Sequence, residues 1–357
     1  METKIKRFDE LTARELYEIV RSRTEIFLLE QRIICQDFDG IDYDSLHCFI
    51  ESEGRVVAYL RAYPAENGNV KIGRVLSLTH GIGLGTILMK ESLPEIKKCW
   101  PGRKITLHAQ KHAKGFYERF GFSVTSPEFL EEGVPHVEMA YRSIAFLGDS
   151  ITYGHGLADA SARYATLVSK RLCMDEENYG ISGTLVAKAG LNRADGKDFL
   201  SRVGLIDSAD VAVIFGGTND YFWSDKPICG EGEAFFEFAL ERMCEHVLKV
   251  RKGKITLFVA PYPHNGVGNY LGGEKWNSSS RHDTGEVNFN GHTLPDYARV
   301  IERVCQKYGL PCLNLHKNFE FDHSVHTLDG CHPNEEGHRL LADAVEEKLR
   351  ELLEDKE

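Results

Sequence analysis

The stretch IAFLGDSITYG, residues 144–154, closes an apolar run with Gly148-Asp149-Ser150. A hydroxyl placed after such a run sits at the carboxyl end of a strand, the end at which open α/β sheets bind ligands. Ser150 there reads either as a nucleophile or as part of a strand exit, where Gly, Asp and Ser are common. A serine attacks only when a base takes its proton and an acid orients that base. DGCHPN near the C-terminus holds such a pair, Asp329 and His332. A tetrahedral intermediate also needs donors aimed at its oxyanion. Gly180 in NYGISG lets a backbone N–H approach closely, and Asn219 in GGTND offers an amide just after the run VAVIF. Each has a plainer reading alone, as a turn glycine, an Asx-turn former or a surface pair before a capped helix. Together and in this order they describe acyl chemistry on a serine.

A second place for chemistry lies earlier. VLSLTHGIGLGTILM, residues 75–89, sets Gly81, Gly83 and Gly85 between a strand pattern and a helix pattern. The N–H groups of such a turn and the following helix N-terminus make a pyrophosphate cradle. The spacing is not that of the dinucleotide fingerprint, and a tight turn without ligand would use the same glycines. GFYERFGF places Tyr117 on a short helix that ends at Gly121.

The elements that must position these residues fall into two halves. In the first, Thr12 and Glu15 form a capping-box pattern before a helix with apolar positions Leu11, Leu16, Ile19 and Val20. Strand patterns HCFIES, RVVAYLRAY and NVKIGRVLSL follow, then a helix over Leu84–Cys99, a strand ITLHA and a helix AKGFYERF. This predicts a mixed α/β domain over residues 1–142. From 143 to 357 the short apolar runs SIAFL, VAVIF, KITLFVA and LPCLNL alternate with helical segments, which predicts a parallel sheet covered on both faces. Asn334 caps a last helix with the stripe Leu341, Val345, Leu349 and Leu352. Tyr221, Phe222 and Trp223 are expected to wall the pocket over Ser150, with Tyr270 or Trp276 arriving from the long segment after Ala260 as a lid.

Composition bounds the function. The 357 residues carry a net charge of −11 without a concentrated basic face, which argues against nucleic acid and for small-molecule partners. No signal-peptide core or membrane-length apolar run is present, so a cytoplasmic location is expected. Nine cysteines without a C-x-x-C pair argue against a zinc site or a disulfide framework, and no metal is expected.

Gly148-Asp149-Ser150, Gly180, Gly-Gly-Thr-Asn at 216–219 and Asp329-x-x-His332 resemble the four blocks of the SGNH (GDSL) hydrolase family. The resemblance implies a flavodoxin-like three-layer α/β/α fold and hydrolysis of carboxylic esters, often short acyl groups on sugars or other small molecules. It implies Ser150 as nucleophile, His332 as base then acid, Asp329 as its orienter, and the Ser150 N–H, Gly180 N–H and Asn219 amide as oxyanion hole. Residues 1–142 resemble the GNAT acyl-CoA N-acyltransferases, particularly their ElaA-like branch, through FLLEQRIICQDFDGID, GRVLSLTHGIGLGTILM, HAQKHAKGFYERFGF and EEGVPHVEMA. That implies acetyl-CoA as cosubstrate, its pyrophosphate on the turn of His80, Gly81, Gly83 and Gly85, its thioester along the strand at Val75, and Tyr117 as proton donor to the leaving thiolate. Tyr117 also reads as a packing aromatic. His80 stands where the family has Gln or Arg, a weaker phosphate partner than a guanidinium. No base for the amine stands out; Glu30, Asp37 and Asp39 are candidates by proximity in sequence to the family's substrate region. The whole is expected to be a serine esterase fused to an N-acetyltransferase acting on ester and amine substrates, or an esterase with a CoA-binding regulatory domain.

Overall fold

The computed structural model describes residues 2–188, 197–264, 287–288, 290–317 and 319–355. Backbone contacts divide the chain into two units, Met1–Tyr141 and Arg142–Glu357.

The first unit runs β1 (Thr3–Arg7), α1 (Ala13–Arg23), β2 (Leu46–Ser52), β3 (Arg55–Pro64), β4 (Val70–Ser77), α2 (Leu84–Cys99), β5 (Ile105–Gln110), α3 (Lys114–Glu118), β6 (Phe122–Val124), β7 (Phe129–Glu131) and β8 (Val134–Tyr141). The capping box forms: Thr12 Oγ1 accepts the Glu15 N–H at 3.2 Å while the Glu15 carboxylate accepts the Thr12 N–H at 2.9 Å. Among the described residues the unit builds an eight-stranded sheet in the order β1-β2-β3-β4-β5-β8-β6, with β7 on β8. Leu60, Ala62, Ile72 and Leu107 turn to one face and pack against Leu88, Met89 and Ile96 of α2. On the other face Ile19 of α1 meets Phe49, Tyr59 and Leu76.

One break in this sheet matters for chemistry. β4 pairs with β5, in parallel, only over Val70–Ile72. Beyond it, Arg74 and Val75 bulge opposite the single residue Leu60, with Arg74 at φ 55°. A bulge bends and twists its strand, so β4 leaves β5 and a wedge opens between them.

The second unit contains β9 (Ser143–Gly148), α4 (Ser150–Tyr153), α5 (Tyr164–Arg171), β10 (Asp175–Gly180), α6 (Phe199–Arg202), β11 (Val211–Phe215), α7 (Thr218–Trp223), α8 (Phe236–Val250), β12 (Ile255–Ala260), α9 (Leu294–Tyr308), β13 (Cys312–Asn314), α10 (His323–His326) and α11 (Glu335–Glu354). The described strands form a parallel sheet ordered β10-β9-β11-β12-β13. Alternate residues serve opposite layers. Ala145, Leu147, Ala212 and Ile214 face the side of α6, α8 and α9, while Ile144, Phe146, Val211 and Val213 face α5 and α11. Three α/β/α layers result, as the apolar runs predict, with the flavodoxin-like order. The chain steps from β9 to one neighbour and then to the other, so the carboxyl end of β9 is the topological switch point. Gly148-Asp149-Ser150 lies there.

Candidate active sites

Ser150 opens α4 directly behind Asp149, whose side chain caps that turn by accepting the Ile151 N–H at 2.9 Å. The serine is nearly buried, with 8% of its surface exposed. His332 Nε2 lies 3.0 Å from Ser150 Oγ, and Asp329 Oδ2 lies 2.7 Å from His332 Nδ1. The loop that brings acid and base together is locked by its own bonds: Leu328 N–H donates to His332 O at 2.8 Å, and buried Tyr262 donates from its hydroxyl to Cys331 O at 2.6 Å. Asn334 then caps α11 by accepting the Gly337 N–H at 2.9 Å. Burial alone would raise the Asp329 carboxyl. Hydrogen bonds from the His332 ring and from the His332 and Cys331 N–H groups outweigh it and hold the group at about 2. Asp329 is thus a carboxylate at neutral pH, able to fix the tautomer in which His332 Nε2 accepts a proton.

Asn219 stands at the start of α7, beside the nucleophile's strand end, and its amide donates to Asp149 Oδ2 at 3.2 Å. The second N–H of that amide leaves a donor to spare. Gly180 closes β10 alongside Gly148. A Cβ there would lie 2.3 Å from Tyr153 N, so glycine is what lets β10 pass under α4. The Gly180 N–H is engaged by Asn178 Oδ1 at 2.9 Å, and service to an oxyanion requires that bond to open. The sequence reading missed Arg202. It is buried and donates to Tyr179 O at 2.6 Å and Gly148 O at 3.3 Å, tying together the strand ends that present the site. It also missed His155, whose ring lies 4.6 Å from that of His332. Neither carries a sequence signal, since an arginine or a histidine in a polar segment looks like surface.

The expected aromatic wall needs correction. Tyr221 and Phe222 are 2% and 8% exposed and pack in the core with Phe236 and Tyr297. Trp223 is partly buried against the same cluster, and Phe222 also meets the His264 ring at 5.5 Å, so the turn after Asn219 gives these rings to packing. Tyr270 and Trp276 lie outside the described residues.

In the first unit, Val75, His80, Gly81, Gly83, Gly85 and Tyr117 all line one cleft of about 810 Å³ at the wedge between β4 and β5. Gly81 and Gly83 adopt φ of 81° and 84°, and a Cβ on either would meet no atom within 4 Å. The turn is therefore a bare backbone surface open above, leading into the 16-residue helix α2, and these features fit the pyrophosphate of CoA. His80 is largely exposed, 3.5 Å from Glu30. Tyr117 is buried, and burial pushes its phenol above the ordinary range so that it keeps its proton. Asp37 and Asp39 are not free to act as bases. Asp37 accepts from Arg23 at 2.9 Å and from Arg74 at 2.9 Å, and Asp39 from Arg61 at 2.5 Å. Burial would raise Asp39, but the Arg61 hydrogen bond overrides it and holds the carboxyl below its usual value. These acids anchor the bulged Arg74.

Residues 146–340 match the GDSL-like Lipase/Acylhydrolase family, and residues 29–143 match an Acetyltransferase (GNAT) domain. Protein ElaA of Escherichia coli is 34% identical over 141 residues, which cover 38% of this chain and 92% of that protein. The crystal structure of an acyl-CoA N-acyltransferase from Pseudomonas aeruginosa shares 35% identity, covers 39% of this chain and 99% of its own, and has a TM-score of 0.38. On the hydrolase side, the crystal structure of a protein from Lactobacillus plantarum shares 26% identity over 60% of this chain and 97% of its own, with a TM-score of 0.48.

Proposed function

From the premise that the chain belongs to the GDSL-like lipase/acylhydrolase family and carries a GNAT acetyltransferase domain of the ElaA kind ahead of it, we propose that it is a two-site acyl-group enzyme. The second unit hydrolyses short-chain or acetyl esters of a small molecule or sugar. The first transfers an acetyl group from acetyl-CoA, consumed as substrate, to an amine. The single observation that carries the hydrolase reading is the continuous chain from Ser150 Oγ to His332 at 3.0 Å and from His332 to Asp329 at 2.7 Å.

Ser150 Oγ attacks the ester carbonyl while His332 Nε2 takes its proton, then returns it to the departing alcohol. Asp329 stabilises the imidazolium between these steps. The Ser150 N–H and the spare N–H of Asn219 receive the oxyanion. Water, activated by His332, releases the acid. In the other unit the glycine turn holds the phosphates, the bulged strand at Val75 receives the thioester, and Tyr117 supplies a proton to the thiolate. The acidic chain and its nine free thiols suit a cytoplasmic setting.

Replacing Ser150 by Ala is expected to lower p-nitrophenyl acetate hydrolysis at least about 1,000-fold and to abolish fluorophosphonate labelling. Parent-like turnover in that variant removes Ser150 as nucleophile. Calorimetric titration with acetyl-CoA tests the first unit, and absence of binding ends its acyltransferase reading.

A further inference from the structure

The face of the first sheet opposite α2 is polar where the wedge opens. Arg61, Tyr63, Lys71, His108, Gln110 and His136 alternate with the residues packed on α2, and all line the cleft that also holds Tyr117. Within this group one side chain is held as a proton acceptor is held. His108 Nδ1 lies 3.0 Å from Glu131 Oε2, and its ring meets Phe129 edge-on at 4.9 Å. A ring N–H donated to a carboxylate leaves the other nitrogen, Nε2, with its lone pair. Lys71 Nζ lies 3.1 Å from Nδ1 and 3.3 Å from Nε2, so a primary amine already sits beside this ring in the fold. Glu131 also faces His136 Nε2 at 4.0 Å. The His108 hydrogen bond, ahead of its burial, holds Glu131 below the usual carboxylate value.

We propose that His108, oriented by Glu131, is the base on the acceptor side of the cleft and that the acceptor is a primary amine seated over the polar strands β4 and β5. The inference rests on the acyltransferase reading of this unit. The amine nitrogen forms the new C–N bond to the acyl carbon, its proton passes to His108 Nε2, the C–S bond breaks, and the sulfur keeps the electron pair until Tyr117 protonates it. His108 and Tyr117 thereby divide the two proton transfers between two residues of one cleft.

Bromoacetyl-CoA tests the placement without knowledge of the natural amine. Cys35 lines the same cleft and would compete, so the full-length Cys35→Ser protein is used. His108 Nε2 is expected to displace bromide and carry one CoA adduct, mapped by peptide mass spectrometry. Excess acetyl-CoA suppresses it, Glu131→Gln slows it at least about fivefold, and His108→Gln abolishes it at that site. With methylamine as a minimal acceptor, His108→Gln lowers thiol release from acetyl-CoA by about 100-fold, the order expected of a general base. Both variants keep parent-like acetyl-CoA affinity by calorimetry, which certifies the fold of the unit they alter, and parent-like p-nitrophenyl acetate hydrolysis in the other. An adduct on Lys71 or elsewhere, or no adduct while acetyl-CoA still binds by calorimetry, overturns the assignment of His108 alone. Failure of acetyl-CoA to bind the parent overturns the acyltransferase reading beneath it.

Discussion

Two carboxyl groups beside the nucleophile are driven to opposite ends of the acid range by their surroundings. Asp329 is held at about 2. Burial pushes Asp149 up to about 6, against the hydrogen bonds from Ile151 N–H and Asn219. A raised carboxyl means that the folded state binds a proton the unfolded chain has released, so stability falls as pH rises between about 4 and 6 and is level above that window. A carboxyl raised from its ordinary value to about 6 is worth about 3 kcal/mol across that window. Asp149→Asn lacks this slope, and urea unfolding at pH 4 and pH 7 is expected to show the variant gaining about that much on the parent at the higher pH; equal slopes would refute the account. Ser150, Asp329 and His332 are legible in the sequence because each is a reactive residue type beside a strand exit or a helix cap. Arg202 is not, because its bonds run to backbone oxygens that only the folded sheet brings together.

Among the elements, the contact of β10 with α4 sets the position of the nucleophile. A Cβ at Gly180 would fall 2.3 Å from Tyr153 N and 2.7 Å from Thr152 C, both backbone atoms that cannot rotate away. Gly180→Ala is therefore expected to displace the turn that carries Ser150 and to lower kcat/KM for p-nitrophenyl acetate at least about tenfold, the order that misplaced reacting groups cost. Gly204→Ala, whose Cβ would meet only Asp207 Oδ2 at 3.7 Å, serves as the control and should match the parent. The apolar strands β9, β11 and β12 follow from their unbroken hydrophobic runs, which suit a sheet covered on both faces. β10, with the sequence DEENYG, has no such run and escapes a pattern reading, because an edge strand is covered less completely. The same limit applied to Tyr221 and Phe222, where proximity to Asn219 said nothing about which way a helical turn faces.

At the scale of the whole molecule, each apolar cluster lies within one unit, so the two chemistries draw on separate cores. Gly83→Val tests that separation. Valine at a φ of 84° is strained, and its side chain would rise into the open space over the turn. Acetyl-CoA affinity, read by calorimetry, is expected to fall at least about tenfold with ester hydrolysis unchanged; loss of both would mean the units fail together. A last consequence concerns association between copies. Among the described residues β10 has a sheet neighbour on one side only. Asp175, Glu176 and Glu177 occupy that border, and two chains aligned along it would set like charges against each other. Replacing Glu176 and Glu177 by Val is expected to raise light scattering during incubation while early hydrolysis stays intact. The acids that conceal this strand from a hydrophobic pattern would also oppose its pairing with a second chain, the means by which an exposed edge otherwise seeds a fibre.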